Sequence, residues 1–153
     1  MIIWRGWGFL AVVYIALCAG LLGGALGSAI AVDGAGGALA GFGVMIGGAL
    51  TAVHGWYLNI VRPKAKATEW ELAERPRLEA AADQGSLVVD SVQPRDRAEA
   101  EAMIDSVIAD GRRVIGRHGP HSVFWIPMEI IGILALIVGF MLGGYNLFML
   151  VLG

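Results

Sequence analysis

Five side chains in this sequence have the types that could do chemistry: His54, Asn59, His118, His121 and Glu129, with Arg5 as the cation to set beside them. His118 and His121 stand three apart around Gly119-Pro120, and His54 comes from a distant stretch. Imidazoles suit zinc, copper or haem iron, and Glu129 would add an oxygen ligand. A metal centre needs three or four convergent ligands, however, and no two-cysteine, HExxH or heptad-spaced histidine pattern accompanies these residues. The same groups suit proton or cation handling, because an acid at the head of an apolar run is a functional group by default if it lies inside a membrane. The plainer alternative is a collar of hydrogen-bonding side chains at headgroup depth. The residues alone favour the collar, with no bound metal or cofactor.

The elements that must position them are set by composition. Of 153 residues, 57% are hydrophobic and 16% charged, against about a quarter charged in an ordinary soluble domain. Before Arg62 the charged residues are Arg5 and Asp33, and after His121 there is Glu129. The other ten Lys/Arg and eleven Asp/Glu lie between Arg62 and Arg117, so this insert is near neutral (10 − 11 = −1). Two hydrophobic blocks thus flank a polar insert. No clustered basic face argues for nucleic acid. The lone cysteine, Cys18, excludes an internal disulfide and reads as a small buried hydrophobe.

Three uncharged runs, from Trp7 to Val32, Gly34 to Val61 and Ile130 to Gly153, each exceed the ~20 residues a helix needs to cross a bilayer core. They predict an all-α integral membrane protein with three transmembrane helices and a helical cytoplasmic insert. Its parts would be a two-helix hairpin over residues 1–61, the insert over 62–121, and a third span with an interfacial lead-in over 122–153. The first run also resembles a secretory signal, with a small-x-small ending at Ala29–Ala31. Its apolar stretch is longer than the roughly 7–15 residues of a signal core, so it reads as a membrane helix. Arg62, Lys64 and Lys66 follow the second span, and Arg112, Arg113 and Arg117 precede the third. The positive-inside rule therefore puts the N-terminus and residues 62–121 in the cytoplasm and the C-terminus on the outer side.

A straight helix from Ser122 to Gly153 would be about 48 Å long, too long for the hydrocarbon alone. Counting about 20 residues back from Gly153 puts the inner edge of the core near Ile133. Glu129 then falls about one turn outside it, paired with Arg5 or Arg117, although a tilted helix would draw it inward. Trp4, Trp7, Trp56 and Trp125 and all three histidines fall near the same face. Pro127 suits a first turn or a bend.

Glycine supplies 23 residues. The pairs Gly20/Gly24, Gly23/Gly27, Gly37/Gly41, Gly43/Gly47 and Gly139/Gly143 have the small-x3-small spacing that lets helix backbones approach in lipid. Three helices offer too few faces for all of them, which predicts a homo-oligomer or a partner membrane subunit.

In the insert, Thr68 and Glu71 have capping-box spacing, predicting a helix from Glu69 that bends or restarts at Pro76, continues toward Asp83 and ends at Gly85. Ser86–Val92 is a connector or lone strand. A second helix follows Pro94 with Ala100, Met103, Ile104, Val107, Ile108, Val114 and Ile115 on one stripe, acids at its start and arginines at its end. That stripe must bury against the first insert helix, the membrane surface or another chain. Acids on the opposite face favour a protein surface.

"WRGWG" at Trp4–Gly8 and "HSVFWIP" at His121–Pro127 together resemble a type of small bacterial membrane protein. That type has a WRGWG-like start and an HS/T-x-F-F/W-I-P lead-in to its last span. The resemblance covers about a dozen residues and implies a bacterial inner-membrane location. It implies no activity, and the larger insert departs from the type. No nucleophile–base set, phosphate-cradling loop or paired carboxylates is present, so no enzyme is expected. The expectation is a non-enzymatic membrane subunit or scaffold in the lipid bilayer. The alternatives are a small channel or transport component using Glu129 and the histidines, or a haem- or metal-bearing redox subunit.

Overall fold

The computed structural model describes residues 4–30 and 32–152, with only the backbone of Trp4. Ala31 of the signal-like ending, Gly153 and the Trp4 side chain lie outside the described residues. The chain is mostly helical, and three helical segments are long and apolar enough to cross a membrane: Phe9–Ala29, Ala35–Asp83 and Met128–Leu152. The first comprises α1 (Phe9–Ala19), a π-helical stretch (Gly20–Leu26) and the short α2 (Gly27–Ala29). The second comprises α3 (Ala35–Trp56), a π-helical turn (Tyr57–Val61) and α4 (Arg62–Asp83). Then come α5 (Arg97–Ile115) and α6 (Met128–Leu152). The chain divides into two compact units, residues 1–59 with 120–153, and residues 60–119.

In the first unit α3 is the central helix, and two of its faces are built from small residues. Gly41, Gly48 and Gly55, seven apart, face α6, where Gly132 and Gly139 repeat the same interval. A Cβ on Gly48 would meet Leu136 N and the Gly132 carbonyl oxygen, and one on Gly55 would lie 2.6 Å from Glu129 N. The helices touch backbone to backbone, so there is no side chain whose movement could relieve such a clash. On the second face, Gly43 packs on Cys18 and Ala19, Gly47 on Tyr14 and Ile15, and Gly36 on Gly27 of α2. Gly143 lies against Phe42. Most glycine faces are therefore occupied within the chain, while a Cβ on Gly20 or Gly24 would meet nothing within 4 Å. The large apolar residues, Val53, Phe140 and Met141 among them, point outward.

This unit also carries a small three-stranded antiparallel sheet, which the helical expectation missed. β1 (Trp4–Arg5) pairs with β2 (Ser122–Val123), which pairs with β3 (Ile126–Pro127). The third span therefore begins at Met128, not at Ser122, and its approach is a hairpin. The hairpin turns through Phe124 and Trp125, both at positive φ (48° and 65°), as a type I′ turn requires. Asn-Gly adopts that turn without strain, whereas a side chain larger than glycine's costs about 1–2 kcal/mol in the left-handed region.

The second unit is an antiparallel pair, α4 and α5, with a core of Leu87, Ala100, Ile104 and Ile108 against Trp70, Leu78, Ala81, Ala82 and Val89. The apolar stripe of α5 thus buries against the first insert helix and its connector. Val114 at the stripe's end stays exposed. A Cβ on Gly111 would collide with the Trp70 ring, so glycine there seats the indole. Asp96 caps α5 by accepting from Glu99 N at 2.8 Å, and the Glu99 carboxylate accepts from Arg95 N at 2.7 Å. Arg112–Glu71 (2.9 Å) and Arg75–Asp105 (2.7 Å) join the two helices, and the Asp105 hydrogen bond holds the Arg75 guanidinium above its ordinary pKa.

One expectation for the insert is corrected. No helix starts at Thr68, because the preceding turns are already helical and supply the carbonyls that a cap would replace. The Thr68 hydroxyl donates to the Lys64 carbonyl inside α4 instead. Pro76 sits within α4, so the helix does not restart there. The connector is a second tight turn, with Val89 and Val92 bridged around Asp90 and Ser91, both at positive φ.

Candidate functional site

Two collar residues of the first unit, His121 and Glu129, meet at Asn59, which has 0% of its surface exposed. Its Nδ2 donates to the His121 carbonyl at 2.9 Å and to Glu129 Oε2 at 2.6 Å, while its Oδ1 accepts from His121 N at 3.0 Å. The amide thus grips the backbone of residue 121 from both sides, as a neighbouring strand would. The His121 carbonyl also accepts from Met128 N at 3.1 Å, which closes the hairpin at its base. Glu129 lies in the first turn of α6, where the helix dipole favours a carboxylate.

His121 meets the N-terminal segment with its ring. Trp7 N donates to His121 Nδ1 at 3.0 Å. Nδ1 accepts here, so the proton of the neutral imidazole sits on Nε2. Gly6, at φ 58°, passes so close that a Cβ there would strike the His121 ring, and one on Gly8 would strike the Ser122 carbonyl. The two stretches that carry the sequence resemblance, Trp4–Gly8 and His121–Pro127, are thus joined by sheet pairing, by the Trp7–His121 hydrogen bond and by two glycine contacts. Arg5 lies exposed on β1, in register with Ser122.

His54 takes a different partner. Its Nδ1 lies 2.7 Å from the Tyr14 hydroxyl, and their rings are 5.7 Å apart. His118 belongs to the other unit, where its Nδ1 lies 3.1 Å from the Gly119 carbonyl oxygen. Among the described residues no three His, Cys, Asp or Glu side chains converge as metal ligands would. Met128, fully buried and clustered with Ala11 of α1 and Val123 of β2, ties the node to α1.

The sequence marks Asn59 as one collar residue among several, and the structure makes it the centre. A buried amide at a helix end is a weak sign of such a role, because its partner here is backbone 62 residues away. Of the packing glycines expected, Gly27, Gly43, Gly47, Gly139 and Gly143 lie against neighbouring helices, and Gly20 and Gly24 face open space. Comparison with family models, with curated proteins and with solved structures finds no match to this chain.

Proposed function

We propose that this protein is a non-enzymatic, three-span subunit or scaffold of a bacterial inner membrane. Its N-terminus and residues 62–121 would be cytoplasmic and its C-terminus on the outer side. The observation that supports this most is the use made of the collar: Asn59, His121 and Glu129 fasten a hairpin to the ends of two spans instead of lining a passage. The polar unit then serves as the part a partner meets, with Leu72, Val88 and Val114 exposed on an otherwise charged surface. Assembly with copies of itself or with a partner subunit would use the open glycines Gly20 and Gly24. Native mass spectrometry of the untagged protein, released gently from its own membrane, tests this. The expected result is a multiple of 16.1 kDa or a complex with other subunits. A bare 16.1 kDa monomer at every concentration would contradict it.

A second reading, a small proton or cation transport component, draws on one observation: a carboxylate at the end of a span is held by a fully buried amide. Flux into liposomes that falls with Glu129→Gln would favour it. Flux absent from the wild type, or indifferent to that substitution, would sink it.

A further inference from the structure

We propose that the groove between α1 and α3 binds a membrane phospholipid, an inference that rests on the membrane reading above. The groove has a volume of about 440 Å³ and is lined by Tyr14, Leu50, Val53, His54, Trp56 and Tyr57. Leu50 and Val53 are exposed on α3 and supply hydrocarbon along the span. Trp56 and Tyr57 close the groove where α3 passes into its π-helical turn, a distortion that often marks functional positions. Both rings are about half exposed and suit the polar–apolar boundary of a bilayer.

The polar part of the groove is the Tyr14–His54 pair. Either arrangement of its proton leaves one donor over. If the Tyr14 hydroxyl donates to Nδ1, His54 keeps an N–H at Nε2. If Nδ1–H donates to Tyr14, the phenol keeps its own O–H. No other described residue hydrogen-bonds to either side chain. A polar hydrogen at the edge of hydrocarbon gains most from an acceptor, since leaving it unpaired there carries the full desolvation penalty.

A phospholipid meets both demands. Its acyl chain lies along Leu50 and Val53, and an ester or phosphate oxygen accepts from the Tyr14–His54 pair near the end of the span. No carboxylate or cation lines the groove, so recognition is through the hydrogen bond and the apolar wall. A helix from another chain fits less well. Docking in lipid favours small residues, and this surface is formed by Leu50, Val53, Trp56 and Tyr57.

The test is native mass spectrometry of wild type and the double variant Tyr14→Phe/His54→Phe, which removes both possible donors, each reconstituted in phosphatidylethanolamine–phosphatidylglycerol vesicles and released into mild detergent. The double variant keeps both aromatic rings, and its incorporation into vesicles reports an intact anchor. The wild type should retain a phospholipid. The double variant should retain about tenfold less, the value of one hydrogen bond. Wild type without lipid, a double variant that keeps it equally, or a phospholipid displaced by an added isoprenoid quinone would each overturn the proposal. Failure of the wild type to enter vesicles at all would instead overturn the membrane reading beneath it.

Discussion

The two units of this chain are packed on opposite rules. In residues 60–119 the core is made of large apolar side chains: Leu87, Ile104 and Ile108 are each 3% exposed, while arginines, acids and a few apolar residues such as Leu72 form the outside. In residues 1–59 with 120–153 the inside is Gly41, Gly43, Gly47, Gly48, Gly132 and Gly139, and the isoleucines, phenylalanines and leucines are outside. In water, removing a leucine-sized side chain from solvent stabilises by about 1.5–3 kcal/mol, so α4 and α5 close over their stripe. Lipid offers no such drive. Helices there associate through close contact and dispersion, which depend on backbones coming near, and glycine permits that. On the membrane reading proposed above, one sequence carries both solutions because its two parts meet different solvents.

Replacing Asn59 strikes the point where the inverted unit depends on a polar side chain. Asn59→Ala leaves His121 N and Glu129 Oε2 without their amide partner, and at about 1–3 kcal/mol for each deprived group the loss should reach about 4 kcal/mol. Thermal unfolding in detergent with phospholipid reads it. The two packing rules separate next. Ile104→Ala in the polar unit should cost about 3 kcal/mol by denaturant titration, whereas Ile137→Ala on the outward face of α6 should cost less than about 0.5 kcal/mol. Equal losses would erase the contrast. Enlarging small residues should reverse the order. Gly48→Leu forces α3 from α6 at about 2–3 kcal/mol, but Gly144→Leu meets open space and costs no stability. Within the polar unit, Asp96→Ala removes the cap of α5 and should lower stability by about 1 kcal/mol, with helical content falling at the start of α5 by hydrogen exchange. The smallest effect has the opposite sign. Gly144→Ala, inside α6, should stabilise by about 0.5 kcal/mol through helix propensity alone.

What could be read from the sequence follows the same division. The stripe of α5 was legible because an amphipathic helix in water must show a period of 3.6, and Ala100, Ile104 and Ile108 are buried on it. That three helices would be long and apolar enough to cross a membrane was legible from apolar length. Thr68 misled, since a capping motif is local and cannot report that the helix is already under way. The four-residue glycine pairs drew the eye from the seven-residue interval of Gly41, Gly48 and Gly55. Only the partner helix, with Gly132 and Gly139 at the same interval, reveals that seam. The hairpin at Phe124–Trp125 was not legible, because neither residue belongs to the turn type it adopts. Contacts across the chain hold it there: β1 on one edge and Asn59 at its base. The Asn59 node was hidden for the same reason, as its main partner is the backbone of a distant residue.

The claim that most needs testing is that the two units face two solvents. An apolar carbene-generating reagent dissolved in the bilayer, followed by peptide mapping of the native protein, tests it directly. Labelling is expected on the outward residues of the three apolar helices, Val53, Ile137 and Phe140 among them, and none on Leu72, Val88 or Val114, although these are at least comparably exposed. Labelling of Leu72 and Val114 at the level of Phe140, or spans left unlabelled, would contradict it.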